Sequence, residues 1–335
     1  MPTSRWRRFS LRALLLLVTL AAIFLGWFAW RLKTARIQDA SAEAIVQAGG
    51  QVAYSNQFDG HVSRLTPYQP KTNFLGTWSQ KLVGGDPTRK MVSVTLMDDD
   101  SAAAITKYNL RDLKIVRFSG GASITDAAVA HLANCPELQV LYLERANITD
   151  RALESIGRHK KLEELWLANT PVTDAILPGL RELPALRVLD IRGTAISNEG
   201  MKQVAALPAV WLLYLDSDRV TDEGIRQLHA SQSIHSVWLG EQSSANLDLA
   251  NIAAIPNLEA LTLTGSLITD DHVAALKGNP KIKDLKFQSC TRLTDASLDI
   301  AATLPNLRSL GTQRTPFTAP ALQQFKFQRP NCTVR

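Results

Sequence analysis

Residues 138–161 read LQVLYLERANITDRALESIGRHKK, and residues 162–185 read LEELWLANTPVTDAILPGLRELPA. Placed one above the other, the two lines match wherever an apolar side chain or a Thr-Asp pair recurs. The matching apolar positions are Leu138, Leu141 and Leu143 with Leu162, Leu165 and Leu167. The offset is 24 residues at each match, and a fixed period of this length indicates a solenoid of stacked structural units.

The period continues in both directions from this stretch. Its first apolar position recurs in steps of 24 or 25 residues at Leu113, Leu138, Leu162, Leu186, Val210, Ile234, Leu258, Ile282 and Leu307. Met91, Val94 and Leu96 show the same spacing further upstream. The pattern L-x-x-L-x-L at this period predicts about ten stacked strands of leucine-rich repeat type over residues 91–335.

Each unit changes from strand spacing to helix spacing. The segment L-x-x-L-x-L alternates as a strand with one buried face does. The Thr-Asp pair that follows predicts a helix start, because Thr caps helices and Asp suits the positive end of the helix dipole. Since one unit cannot bury its own leucines, stacked neighbours must do so. The expected fold class is therefore α/β, a right-handed leucine-rich repeat solenoid or horseshoe with parallel strands on the concave face and helices on the convex face.

The repeats carry a family resemblance. A small polar residue or Cys stands where many leucine-rich repeats have Asn, at Thr170, Thr194, Ser266 and Cys290. Together with the recurrent Ile-Thr-Asp, this resembles the ribonuclease-inhibitor-like and cysteine-containing class of repeats. With its N-terminus included, the chain resembles membrane-anchored leucine-rich repeat proteins of bacteria. The resemblance implies the fold of residues 91–335, but the class includes inhibitors, adaptors and surface proteins, so it implies no single function.

The N-terminus predicts a membrane anchor. Residues 1–12 hold four arginines and no acid, and we expect a basic cytoplasmic tail there. Residues 13–30 are uncharged and mostly apolar, and as a helix they span about 27 Å, close to the ~30 Å hydrocarbon core of a bilayer. Trp27 and Trp30 stand at the far end, where aromatic rings favour the interface. One transmembrane helix is thus expected before the repeats.

A cleaved signal peptide is the alternative interpretation. The one A-x-A match beyond the apolar run, Ala40-Ser41-Ala42, lies ten residues past Trp30, which favours an uncleaved anchor. The basic residues before the helix favour a cytoplasmic N-terminus. We therefore expect a single-pass protein of the cytoplasmic membrane of a bacterium, with its repeat domain outside.

Residues 31–90 are expected to form a juxtamembrane helix and an N-terminal cap. Residues 31–48 read as a helix that ends at Gly49-Gly50, and residues 51–54 read as a short strand. The remainder would cover the apolar end of the first repeat. Further along, the acidic run 98–100 predicts a solvated loop. Ser244 stands where an apolar residue is expected, which predicts a repeat with a looser convex side.

Charge and motifs exclude several classes of function. The net charge is +6, but residues 1–36 hold seven basic residues and no acid, so residues 37–335 hold 30 basic and 31 acidic groups. A domain without basic excess lacks the usual footprint of nucleic-acid binding, and we expect no nucleic-acid partner. No catalytic, phosphate-binding or metal-binding motif is recognisable, so we expect neither an enzyme nor a cofactor or metal.

The outward positions of the strands predict a binding face. The fifth position of consecutive units holds Tyr142, Trp166, Asp190, Tyr214 and Trp238, and the seventh adds Glu144, Arg192 and Asp216. Stacked aromatic residues that merely stabilise the sheet are one interpretation. An aromatic surface rimmed by charge is also typical of binding sites, and solenoids bind on the concave face. We expect a protein or peptide partner there, with a surface receptor for a small ligand or glycan as the alternative.

Overall fold

Twelve strands form one continuous sheet in the computed structural model, which describes residues 11–54, 90–119 and 121–335. Strands β2 to β12 are all parallel to their neighbours, and β1 pairs antiparallel with β2. The strands are β1 Gln51–Tyr54, β2 Met91–Leu96, β3 Ile115–Phe118, β4 Val140–Tyr142, β5 Glu164–Trp166, β6 Val188–Asp190, β7 Leu212–Leu215, β8 Ser236–Leu239, β9 Ala260–Thr264, β10 Asp284–Gln288, β11 Ser309–Gln313 and β12 Thr333–Val334.

One long helix precedes the sheet, and short helices return the chain from each strand to the next. The helices of the described residues are α1 Leu11–Gln47, α2 Asp99–Lys107, α3 Asp126–Ala130, α4 Leu153–Ile156, α5 Leu177–Leu180, α6 Asn198–Ala205, α7 Asp222–Gln227, α8 Glu241–Asn246, α9 Leu249–Ala253, α10 Asp270–Ala274, α11 Ala296–Ala302 and α12 Ala319–Gln328. Turns of 3-10 helix flank several of them, at Gly121–Ser123, His131–Asn134, Asp150–Ala152, Asp174–Ile176 and Leu228–Ala230. The predicted α/β leucine-rich repeat solenoid is confirmed.

The strand register stacks equivalent residues of successive units. Leu141 pairs with Leu165, Leu165 with Leu189, and Leu189 with Leu213, and all four side chains are completely buried. They belong to one apolar core that extends from Ile45 to Cys332. Full burial of a leucine side chain stabilises a fold by roughly 1.5–3 kcal/mol, so the stacked leucines are the main source of stability.

The Thr-Asp pairs connect neighbouring units on the convex side. The carboxylate of Asp126 accepts the backbone N–H and the hydroxyl of Thr149 at 2.8 and 2.7 Å, and Asp150 does the same with Thr173 at 2.9 and 2.7 Å. Thr149 in turn accepts the N–H of Arg151 and so caps its helical turn. The Asp of each pair therefore serves the next unit as well as its own helix dipole. The same contact joins Asp99 to Thr125, Asp174 to Ser197, Asp270 to Thr294 and Asp295 to Thr318.

The second half of α1 and strand β1 cover the first repeat. Ser41 and Ile45 are completely buried against the repeat domain. The helix ends at Gly49, which adopts φ 81°, and the N–H of Gly50 returns to the carbonyl of Ile45 at 2.9 Å. A side chain at position 50 would meet the carbonyl oxygen of Thr95, so only glycine allows β1 to approach β2 here. The part of the expected cap between residues 55 and 89 lies outside the described residues.

The first half of α1 is apolar and exposed. Leu16 is 63% exposed, Phe24 59% and Trp30 58%. The helix is long and apolar enough to cross a membrane, and a signal sequence near the N-terminus has the same properties. The expected basic tail lies almost entirely outside the described residues.

Two local predictions are wrong. The acidic run 98–100 does not form a solvated loop, because Asp98 accepts the N–H of Ser101 at 2.7 Å and thereby starts α2. The repeat that contains Ser244 is not loosely packed. The additional helix α8 carries the chain to Leu247, which is 2% exposed and fills the apolar position of that unit.

Candidate functional site

Four aromatic residues form one row across the middle of the concave face. Tyr142, Trp166, Tyr214 and Trp238 occupy equivalent positions of β4, β5, β7 and β8, and each is half-buried. Their side chains point away from the core because they alternate with buried leucines along each strand. We call these four residues the aromatic row.

The rings of the aromatic row contact one another from end to end. Ring centroids of Tyr142 and Trp166 are 5.6 Å apart with an interplanar angle of 20°, and those of Tyr214 and Trp238 are 5.7 Å apart. Trp166 and Tyr214 belong to strands two positions apart in the sheet, yet their centroids are only 5.0 Å apart. The two side chains therefore lean toward each other over the strand between them, which makes a continuous row rather than two separate pairs.

Asp190 lies beneath this junction. It is completely buried, and its carboxylate accepts the backbone N–H, Nε and Nη2 of Arg192 at 3.1, 2.8 and 2.5 Å. The ion pair and the hydrogen bonds to Asp190 raise the pKa of Arg192 against the opposing effect of burial. Asp190 is thus a support of the row, and the group that reaches the surface is Arg192, whose guanidinium carbon is 4.8 Å from the ring centroid of Trp238.

Arg117 covers the other end of the row. Its guanidinium carbon lies 3.6 Å from the ring centroid of Tyr142, and Nη1 is 3.9 Å from the carboxylate of Glu144. Burial raises the pKa of Tyr142 and of Tyr214, so both phenols stay protonated at neutral pH and their hydroxyls remain hydrogen-bond donors. The indole N–H of Trp166 donates to Glu164 at 3.1 Å.

A polar groove runs beside the row, along the C-terminal ends of β3 to β7. Its volume is about 1160 Å³. Asp216 lines it but is occupied by the backbone N–H groups of Gln242 and Ser243, at 2.9 and 3.2 Å. The other charged residues that line it are Arg117, Glu144, Arg145, Arg192, Asp218 and Arg219. We call this feature the edge groove.

Arg145 in the edge groove has a left-handed backbone conformation. Its φ is 63°, and the equivalent turns of other units, at Asn169, Gly193, Gly265, Ser289 and Arg314, also have positive φ. A left-handed conformation costs a side chain other than glycine roughly 1–2 kcal/mol. The Arg145 side chain is exposed and packs into no core, so packing does not account for an arginine at this turn.

The structure thus brings all eight predicted residues to one region, with Asp190 below its surface. It also adds residues that the sequence pattern did not predict. Trp211 is 47% exposed and stacks on His235 with ring centroids 6.4 Å apart. Both stand at the second position of their units, which precedes the alternating part of the strand. A comparison of the second position of every unit in the sequence would have identified Trp211 and His235 as neighbouring aromatic residues.

The described residues offer little for catalysis. Cys135, Cys290 and Cys332 are all buried and unpaired, and burial raises the pKa of Cys135 to about 12 and that of Cys290 to about 11, which makes them poor nucleophiles. Among residues 11–54, 90–119 and 121–335 there is no group of three or more His, Cys, Asp or Glu side chains that is placed to hold a metal ion.

Comparisons with known proteins agree with this architecture. A family model described as Leucine Rich repeat matches residues 183–205. The repeat domain is a leucine-rich repeat solenoid. No curated protein matches the chain.

Two solved structures illustrate the range of similar folds. One is TLR13 in a complex with ssRNA13, with a TM-score of 0.39 and 16% identity over 73% of this chain and 44% of that one. This chain thus spans less than half the length of the TLR13 chain. The other is an internalin, InlF, from Listeria monocytogenes, with a TM-score of 0.34 and 16% identity over 70% of this chain and 88% of that one.

Proposed function

We propose that this protein is a membrane-anchored interaction module that holds a protein or peptide against the aromatic row and the edge groove. The supporting observation is the continuous row of four half-buried rings, bordered by Arg117, Arg192 and a polar groove. Aromatic residues and arginine are enriched among the residues that dominate binding energy at protein interfaces. Leucine-rich repeat domains are generally interaction modules.

The ring geometry favours a protein or peptide over a glycan. Sugars stack on free ring faces, but both faces of Tyr142 are covered, by Arg117 on one side and Trp166 on the other. Trp166 and Tyr214 each lie between two ring neighbours as well. The row therefore leaves few free ring faces for a sugar, whereas the phenol hydroxyls of its two tyrosines suit the backbone carbonyls of a polypeptide.

The edge groove supplies positive charge that would complement an acidic segment of a partner. Glu144 lies beside Arg117, and Asp190 neutralises Arg192, whereas the side chains of Arg145 and Arg219 are exposed and make no ion pair in the described part of the chain. A partner segment with one or two carboxylates beside its apolar residues fits this arrangement. Arg145 and Arg219 are the cations that we expect to contribute to binding.

The apolar half of α1 supports membrane anchoring. It exposes leucine, isoleucine, phenylalanine and tryptophan on all sides, which is stable in a bilayer and costly in water. Because α1 continues into the cap without a break, cleavage behind the apolar run would remove part of a helix that packs on the repeats. This continuity favours an anchor over a signal peptide.

Site-specific photo-crosslinking in intact cells tests the proposal. A benzophenone amino acid replaces Trp166 in one variant and Arg226, on the convex helix α7, in a control variant. We expect a discrete crosslinked polypeptide from position 166 and none from position 226. Equal crosslinking from both positions, or a crosslinked glycan or RNA in place of a polypeptide, would contradict the proposed function.

A further inference from the structure

Helix α1 passes from its apolar half into its packed half within about one turn. Trp30 is 58% exposed, whereas Ala35 is 8% exposed and Gln38, one turn further on, 7%. Five residues of helix correspond to about 7.5 Å along the axis. The repeat domain therefore begins immediately beside the end of the apolar segment, with no flexible linker between them.

Tyr108 of the repeat domain shares a crevice with the part of α1 that follows the apolar segment. It is the C-cap residue of α2, and a crevice of about 450 Å³ separates its side chain from one face of α1. The lining residues on α1 are Ala29, Leu32, Lys33, Arg36, Ile37 and Ala40. Ala29 and Leu32 flank Trp30 in sequence, so the crevice that Tyr108 lines begins at the aromatic end of the apolar segment. In a membrane this depth is the interface, where tyrosine rings are favoured.

The crevice combines apolar walls with positive charge. Its walls are formed by alanine, leucine and isoleucine side chains, while Lys33 and Arg36 are exposed beside them and none of the lining residues is acidic. Lys107 adds a third cation, with its ammonium 5.2 Å from the ring centroid of Tyr108. Cations beside apolar walls match an amphiphile that carries a phosphate headgroup.

We propose that this crevice binds an anionic phospholipid, so that the repeat domain itself contacts the membrane at Tyr108. The acyl chain would lie against Ala29 and Leu32, the lining residues nearest the apolar segment, and the phosphate would face Lys33 and Arg36. This inference rests on the membrane anchoring proposed above. A second contact beside the helix fixes the tilt of the solenoid, and with it the direction in which the aromatic row faces.

Fluorescence quenching by nitroxide lipids tests the contact in the full-length chain. The three native cysteines are buried, so a single introduced cysteine takes the fluorescent label. Tyr108→Cys reports the proposed contact, Phe24→Cys reports the membrane span, and Arg226→Cys on α7 is the control. Each labelled protein is reconstituted in phosphatidylglycerol vesicles and in phosphatidylcholine vesicles, with the nitroxide on the headgroup for position 108 and in the acyl chain for position 24.

In phosphatidylglycerol the label at position 108 should lose at least roughly half of its fluorescence, since it lies in the headgroup layer, and the label at position 226 should lose none. Quenching at 24 together with a label at 108 that behaves like the one at 226 would overturn the inference while leaving the anchor intact. An unquenched label at 24 would overturn both.

A second measurement addresses the lipid and does not alter Tyr108. Full-length protein purified from phosphatidylglycerol vesicles should retain bound phosphatidylglycerol in native mass spectrometry. Lys33→Gln/Arg36→Gln, which changes two exposed side chains, should lose most of it, and Arg226→Gln should not. Equal retention by the double variant and the wild type would show that these two cations do not hold a lipid.

Discussion

At the scale of single residues, Asp190 and Arg192 form an ion pair beneath the aromatic row, and breaking this pair should lower the free energy of unfolding. Asp190 is completely buried, so Arg192→Leu would leave a carboxylate without its counter-ion beneath the aromatic row. Removing one partner of a buried ion pair destabilises a fold by about 3–5 kcal/mol. We expect a loss of this size for Arg192→Leu in urea denaturation, and recovery of most of it in Asp190→Leu/Arg192→Leu. A double variant as unstable as Arg192→Leu alone would show that the unpaired carboxylate of Asp190 is not the cause of the loss.

Asn198 is the one member of the Thr-Asp contacts at which an amide replaces the carboxylate. Its Nδ2 donates to the hydroxyl of Thr221 at 2.9 Å, and Thr221 makes no side-chain cap of its own helix. With Asp at 198, the hydroxyl of Thr221 would donate instead and become free to cap α7. We expect Asn198→Asp to raise the free energy of unfolding by about 0.5–1.5 kcal/mol.

The matched control for this change is Asp174→Asn. Asp174 accepts the N–H and hydroxyl of Ser197 at 2.8 and 2.5 Å, so an amide there loses a charge-assisted hydrogen bond. Thermal unfolding should therefore shift in opposite directions in the two variants. A shift in the same direction would show that the contact does not depend on charge.

His159 should make stability depend on pH. Its Nδ1 lies 3.1 Å from the carbonyl of Cys135, whereas Nε2 is buried without a partner. Burial lowers the pKa of His159 from its ordinary value of 6.5. As pH falls through 6.5 the unfolded chain therefore binds the proton first, and the free energy of unfolding decreases below that pH.

His159→Asn keeps a donor for the carbonyl of Cys135 and removes the titration. Its urea midpoint should fall less between pH 7 and pH 5 than that of the wild type. Identical pH profiles for the two proteins would mean that His159 is hydrated or partnered in solution and does not contribute to the acid sensitivity.

The residues of the site were predictable to different degrees. The 24-residue period places Tyr142, Trp166, Tyr214 and Trp238 in register, so their common row follows from the sequence. The burial of Asp190 does not follow from it, because alternation places that side chain outward like its neighbours. Its burial depends on two large rings that close above it, and this is a packing outcome that a periodic pattern does not contain.

At the scale of elements, the unit that contains α8 departs from the regular sequence spacing but is packed like the other units. Leu247 is 2% exposed and takes the apolar position that Ile148 fills in the regular unit around β4. We expect Leu247→Ala and Ile148→Ala each to cost about 2–5 kcal/mol, as truncations of fully packed core side chains do. The measurement is the free energy of unfolding in urea.

A loss below about 1 kcal/mol for Leu247→Ala beside a full loss for Ile148→Ala would show that this unit is loosely packed after all. The sequence predicted looseness because Ser244 occupies the expected position. A periodic pattern assumes that the chain follows the same path from strand to helix in every unit. It therefore does not reveal that α8, directly after β8, brings Leu247 instead of residue 244 to the buried apolar position.

Helix boundaries were predictable from the sequence where a residue type strongly favours a helix end. Gly49-Gly50 predicted the end of α1 because a left-handed glycine terminates helices, and Gly49 has that conformation. The acidic run 98–100 was misinterpreted because its capping role depends on Ser101, whose hydroxyl oxygen accepts the backbone N–H of Asp98 at 3.1 Å. Such a reciprocal cap with Ser in place of Glu or Gln is a weak pattern in a single sequence.

At the scale of the whole molecule, the long helix α1, β1 and the solenoid form one continuous structure. The second half of α1 packs on the first repeat, β1 extends the sheet, and the aromatic row lies near the middle of the described strands. The sequence predicted the order of these parts from composition and period. It did not predict that Tyr108 would line a crevice together with α1, since that crevice joins parts of the chain about 75 residues apart.

The central claim is that the aromatic row binds a partner and does not merely stabilise the sheet. The measurement that tests it most directly compares thermal stability and affinity for the crosslinked partner in Trp166→Ala and Trp238→Ala. We expect Trp238→Ala, which loses one ring neighbour, to cost up to about 1 kcal/mol of stability, and Trp166→Ala, which loses two, up to about 2 kcal/mol. Each variant should lose more than about tenfold in affinity. Lower stability with unchanged affinity would contradict the claim and make the row a structural ladder.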